Sequence, residues 1–248
     1  MGEDIFGGNG WMTTIRHSAL THPGRVRKIN EDSILALPEQ RIWVVSDGMG
    51  GHEAGDFASQ TVTAAVAALH PGQPPTEAMQ ALRKAILDAH AQVFAESVRR
   101  DRGAIGATVV ALIMTGDHFA AFWAGDSRLY CLRDGRLDML THDHSVLADL
   151  VLAGAMTWDE AEDHPQSNVI TRAVGVGEEL ELDKVRGEVR PGDRFLLCSD
   201  GLTKHVGTEM LREVLAAEPM ETVADALLAR ALDGGGTDNV SAIVVDVV

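Results

Sequence analysis

Twice in this chain an apolar run stops abruptly on Ser-Asp-Gly. One run is Ile42-Trp43-Val44-Val45-Ser46-Asp47-Gly48 and the other is Phe195-Leu196-Leu197-Cys198-Ser199-Asp200-Gly201. Short apolar runs closed by turn residues read as buried strands, and a buried strand delivers its terminal residue to the rim of a sheet. Further acids share the context. Asp126 follows Phe122-Trp123-Ala124-Gly125, Asp238 precedes Asn239 and the run Val240-Ser241-Ala242-Ile243-Val244-Val245, and Glu31-Asp32 precedes Ser33-Ile34-Leu35. A lone Asp-Gly is ordinary turn chemistry. If the rims coincide, however, the carboxylates meet in one place. Two carboxylates about 5 Å apart at an effective dielectric of about 20 repel by roughly 3 kcal/mol. Such a gathering needs protons or cations to compensate. The neighbouring donors are oxygens, with no Cys or His cluster at zinc spacing, so the pattern implies a hard ion, Mg2+ or Mn2+.

The remaining periodicities supply a layered frame for those rims. Strand-like runs at 15–21, 33–37 and 41–46 come first, followed by a small-residue helix at 54–69 suited to close packing on a sheet. A longer helix at 76–100 places Met79, Leu82, Ile86, Ala89 and Val93 on one face. Strands at 107–115, 118–124, 128–133 and 136–140 follow, the last two joined by Asp134-Gly135, a type I′ hairpin signal. Residues 144–164 read as irregular and helical, with Thr157-Trp158-Asp159-Glu160 fitting a capping box. Strands at 181–189 and 194–198, helices at 208–217 and 220–232, and a strand at 241–247 complete the chain, with Pro219 poised at the first turn of the second of these helices. Short connections imply antiparallel pairing. The order is that of an α+β layered protein rather than a doubly wound one. No stretch has the composition of an interdomain linker.

Composition excludes several functions. Lys and Arg total 21 against 37 Asp and Glu, a formal charge of −16 on 248 residues, which argues against nucleic-acid binding. Cys131 and Cys198 sit in apolar runs and read as reduced core residues of a cytoplasmic protein. No run is long enough to insert into a membrane, and residues 1–12, Gly-rich and acidic, lack a signal-peptide pattern and read as an extension outside the fold.

Taken together, the residues resemble the metal-dependent Ser/Thr protein phosphatases of type 2C in their short bacterial form. The pieces, in the family's order, are Gly24-Arg25-Val26-Arg27-Lys28-Ile29-Asn30-Glu31-Asp32-Ser33, Ser46-Asp47-Gly48-Met49-Gly50-Gly51-His52, Gly106-Ala107-Thr108, Ala124-Gly125-Asp126-Ser127-Arg128, Thr141-His142-Asp143-His144-Ser145, Asn168-Val169-Ile170-Thr171-Arg172-Ala173-Val174-Gly175, 191–202 around Ser199-Asp200-Gly201, and Thr237-Asp238-Asn239-Val240-Ser241. The resemblance covers nearly the whole chain. It implies a four-layer α-β-β-α sandwich, two central antiparallel sheets flanked by helix pairs, in one catalytic domain at 13–248 with a flap at about 145–167.

The resemblance also implies roles. Asp47 would bridge two metals beside the Gly48 backbone carbonyl, and Asp200 and Asp238 would hold the second. Asp126 resembles the ligand of a third, weaker metal. Glu31 and Asp32 resemble water-mediated or supporting partners, and Arg27 the residue that grips the substrate phosphate. Animal members carry His directly after the first Asp-Gly; here Met49 stands there, and the nearest histidine is His52. His52, a metal-bound water and bulk solvent are the candidate proton donors. The implied reaction is hydrolysis of protein phosphoserine and phosphothreonine by a water activated between two Mn2+ or Mg2+ ions, by a monomer reversing a bacterial Ser/Thr kinase. Type VI secretion is one setting that uses such short phosphatases. A catalytically inactive scaffold and a phosphatase of a partner-switching regulator are the alternatives. His142 and His144 read as turn and strand-end residues, and Leu147, Leu150, Val151 and Trp158 of the flap serve gating or simple packing.

Overall fold

The computed structural model describes residues 14–50, 53–100, 104–157 and 169–248. The extension expected at 1–12, His52, the capping-box residues 158–160 and the rest of the flap at 161–167 lie outside the described residues.

The strands are β1 (Ile15–His22), β2 (Asp32–Leu37), β3 (Ile42–Met49), β4 (Gly106–Ala107), β5 (Val109–Thr115), β6 (His118–Ala124), β7 (Arg128–Arg133), β8 (Arg136–Met139), β9 (Asp183–Glu188), β10 (Arg194–Cys198) and β11 (Val240–Val247). The helices are α1 (Glu53–Ala67), α2 (Pro75–Arg100), α3 (Val146–Leu152), α4 (Asp200–Thr203), α5 (Thr208–Ala217) and α6 (Val223–Asp233). One sheet runs β1-β11-β10-β7-β8 and the other β2-β3-β5-β6-β9, with β4 paired to β3. Every pairing is antiparallel.

The unbroken apolar runs are explained by burial on both faces of each central strand. On β3, Trp43 and Val45 enter a layer between the sheets with Val110, Leu112, Phe195, Leu197, Ile243 and Val245. Ile42 and Val44 point the other way, into a cluster with Val62 of α1 and Leu82 and Ile86 of α2. On β10, Leu196 and Cys198 face Leu211 and Leu215 of α5 and Leu227 of α6. Small residues in α1 (Ala54, Ala58) let it lie close to β3. The result is the expected α-β-β-α order.

Three local departures have physical causes. The run expected as one strand at 107–115 breaks at Thr108, which leaves the ladder to bond Asp47: its amide donates to the Asp47 carbonyl (2.8 Å) and its hydroxyl accepts from the Asp47 amide (3.0 Å). The helix expected at 220–232 starts at Val223, because the Pro219 carbonyl accepts from both Thr222 and Val223 and closes a separate turn first. The four-residue helix α4 was not expected, being too short for periodicity to reveal.

The registers bring one end of both sheets together. Asp32 pairs with Asp47, Val109 with Ala124, and Cys198 with both Arg128 and Ala242. The residues just beyond these positions form a common rim.

Candidate metal centre

Each acid reaches that rim by a different route. Asp32 and Asp47 face each other across the β2–β3 ladder, a like-charge pairing that a sheet tolerates only with compensation. Asp126 sits in the turn by which the chain crosses from β6 in one sheet to β7 in the other. Asp200 opens α4 directly after β10, and Asp238 lies two residues ahead of the neighbouring strand β11. Arg27, Glu31, Asp47, Gly48, Asp126, Asp200 and Asp238 all line one cavity of about 280 Å³, joined by Lys204, Met49 and Ile170. Asp32 lies buried beneath. The glycine of each Ser-Asp-Gly is required by close backbone approach. A Cβ at Gly48 would stand 2.1 Å from the Gly55 carbonyl oxygen, and one at Gly201 would stand 1.9 Å from that of Asn239.

The cluster is short of positive charge. Burial pushes the Asp32 carboxyl up to about 6 against hydrogen bonds that its Oδ2 accepts from Ser199 (2.8 Å) and Ser241 (2.7 Å). Asp47 is driven well above the usual carboxylate range by burial and then by Asp32, Asp200, Asp126 and Asp238. Burial, Asp200 and Asp143 lift Asp126 to about 7. Asp238 alone is held low: burial pushes it up, but Lys204 and Arg27 outweigh that. Asp32 Oδ1 and Asp200 Oδ1 are buried acceptors without a hydrogen-bond partner, a condition that costs free energy unless something fills it. Partnerless oxygens among crowded carboxylates, with no His or Cys among the described residues that line the cavity, fit hard divalent cations.

Two residues passed over in the sequence shape this site. Asn239, 4% exposed, accepts from the Glu31 amide through Oδ1 (2.8 Å) and donates through Nδ2 to the carbonyls of Pro23 (3.0 Å) and Ile29 (2.9 Å). It therefore clamps the loop that carries Arg27 and Glu31. Lys204 places Nζ 2.7 Å from Asp200 Oδ2 and 3.1 Å from Asp238 Oδ2. The signals were a small amide between a candidate ligand and an apolar strand, and an Asp–Lys pair at i,i+4. Arg27 meets Asp238 at 3.0 Å, so the expected phosphate-gripping side chain already stands at the cavity.

His142, His144 and Asp183 form a second group, their ligand atoms within 4.8 Å of one another. Its hydrogen bonding does not suit a metal. His144 Nδ1 accepts from the Gly125 amide (3.2 Å), which leaves the proton on Nε2, facing Asp183 Oδ2 at 3.4 Å. A metal-ligating imidazole donates its distal N–H to an acceptor, and here the distal nitrogen meets a donor. Arg172 takes the other Asp183 oxygen at 2.6 Å. This network ties the Asp126 turn to β9. Ser145 caps α3 and bridges to Ile170, so the described roots of the 145–167 segment are joined beside the cavity. Both cysteines are buried and free, and burial pushes each thiol up to about 12, far from a thiolate nucleophile. Among the described residues no helix is long and apolar enough to cross a membrane.

Known proteins resemble this chain in sequence and fold. Residues 25–234 match the protein phosphatase 2C family profile. The chain is 40% identical over 235 residues to the serine/threonine protein phosphatase PstP of Mycobacterium tuberculosis, covering 94% of this chain and 45% of that protein; it thus spans about half that relative's length. The structure of PppA, described as a key regulatory component of T6SS in Pseudomonas aeruginosa, is 40% identical with a TM-score of 0.88, covering 94% of this chain and 98% of PppA. The PstP catalytic domain in complex with two manganese ions is 39% identical with a TM-score of 0.83, covering 95% and 99%. With a family match across most of its length and the fold to accompany it, this chain belongs to the protein phosphatase 2C family.

Proposed function

We propose that this chain hydrolyses phosphoserine and phosphothreonine on proteins, using Mn2+ or Mg2+ held at the acid-lined cavity. The observation that carries the reading is the convergence of Asp47, Asp126, Asp200 and Asp238 on one cavity, with a buried Asp200 oxygen left partnerless. Asp47 and the Gly48 carbonyl would hold two ions, Asp200 and Asp238 would serve the second of them, and Asp126 would hold a third, weaker one. Glu31 and Asp32 act through waters or from behind. Bound dications supply an acidified water and neutralise charge on the phosphoryl oxygens.

The chain's own residues do the positioning. Asn239 fixes the loop that presents Arg27. Arg27 exchanges Asp238 for the incoming phosphate, to which its planar fork can make two parallel hydrogen bonds. Ser199 and Ser241 hold Asp32 against the back of Asp47. His52 remains the chain's own candidate proton donor. The likeness to PppA, a regulatory component of T6SS, supports a signalling role. In this reading the enzyme is one domain at 13–248 and acts on phosphoproteins in the cytoplasm as a monomer, against a Ser/Thr kinase.

Hydrolysis of p-nitrophenyl phosphate and of a phosphothreonine peptide tests the reading. Activity should require Mn2+ or Mg2+, vanish with chelator, and fall at least about a hundredfold in Asp200→Asn with the fold retained. Turnover indifferent to chelator overturns it.

A further inference from the structure

Lys204 occupies a place where a dication is expected, and this follows from backbone geometry. It caps the C-terminus of α4, its amide donating to the Asp200 carbonyl at 2.8 Å. One helical turn past Asp200, the side chain folds back over the acid that opened the turn. Nζ then spans Asp200 Oδ2 at 2.7 Å and Asp238 Oδ2 at 3.1 Å, joining carboxylates from separate segments, and the side chain is only 27% exposed. Arg27 flanks Asp238 from its other side at 3.0 Å.

An ammonium and a dication cannot both sit between the same two oxygens. Mg2+ approaches each carboxylate oxygen to about 2.0–2.1 Å. Its charge would then face Nζ across a few ångströms of low-dielectric cavity.

We infer that Lys204 is a built-in competitor for the cation position between Asp200 and Asp238: it holds the acids together in the metal-free protein and must withdraw before a dication enters. Lys204 thereby sets the metal concentration at which the centre assembles. This rests on the proposed metal reading of the cavity, since a competitor needs something to compete with. The lysine is tethered and always present at high local concentration, so the threshold is set by the chain itself.

Lys204→Met removes the charge at similar length, Lys204→Gln keeps a polar end should the methionine variant fold poorly, and Lys204→Arg keeps the charge. Metal-free proteins are titrated with Mn2+ alone, reading free Mn2+ by electron paramagnetic resonance, and are melted in chelator. The neutral variants should bind Mn2+ about tenfold more tightly while melting about 2–4 °C lower in chelator; Lys204→Arg should track the parent in both. A lysine that merely supported the fold would lower the melting temperature without tightening Mn2+. Neutral variants that bind Mn2+ no more tightly than a Mn2+-binding parent overturn the role of Lys204 alone. A parent that takes up no Mn2+ overturns the metal reading as well.

Discussion

Asn239 engages three backbone groups of one loop through a single small side chain. Asn239→Ala takes the donor from the Pro23 and Ile29 carbonyls and removes the partner of the Glu31 amide. We expect a loss of about 2–4 kcal/mol in urea unfolding, and a raised KM for phosphopeptide because Arg27 rides on the released loop. Asp126 gives a prediction of opposite sign. Its folded pKa of about 7 lies above the unfolded carboxylate value, so the folded state holds its proton more tightly. The resulting penalty grows as pH rises from the unfolded value toward 7 and is constant above it. Asp126→Asn should therefore stabilise the chelator-treated protein at pH 8, by on the order of 2 kcal/mol, and by less at pH 5. Equal melting shifts at the two pH values would refute the assignment of burial and Asp200 as the cause.

The hairpin joining β7 to β8 shows how legible single elements were. Asp134-Gly135 was read as a type I′ turn, and both residues have positive φ, +52° and +78°. Gly135→Val should cost about 1–2 kcal/mol, read as a lowered melting temperature with activity intact, since nothing crowds the position and only backbone conformation is disturbed. Central strands such as β6, β7 and β10 could be bounded in the sequence because apolar runs ending in turn residues have no other economical fate. The break at Thr108 was not legible because a side-chain bond to Asp47, far away in the chain, decides it, and α4 was not because one turn is too short to show a period. The same divide runs through the site. Asp47 and Asp200 announce themselves by a repeated motif, whereas Lys204 and Asn239 acquire meaning only when α4 and the loop at 23–31 each meet the segment that enters β11.

On the scale of the whole molecule, the candidate ligands are divided between the sheets. Asp32 and Asp47 belong to one, and Asp200 and Asp238 adjoin β10 and β11 of the other. A dication shared among them links the two halves of the sandwich. We expect Mn2+ to raise the melting temperature, and to raise it more at pH 8 than at pH 5.5, because protons compete for Asp32 and Asp126, whose pKa values are about 6 and about 7. A Mn2+-induced shift that is the same at both pH values would count against Asp126 as a binding group and Asp32 as a supporting one.

β1 and β11 run side by side, with Ile15 opposite Val247 and His22 opposite Val240. The acid cavity lies at the His22–Val240 end, so the described ends of the chain emerge together at the opposite pole. A fluorescent tag or a surface tether joined at Val248 would thus start far from the cavity mouth, leaving it open on immobilised protein.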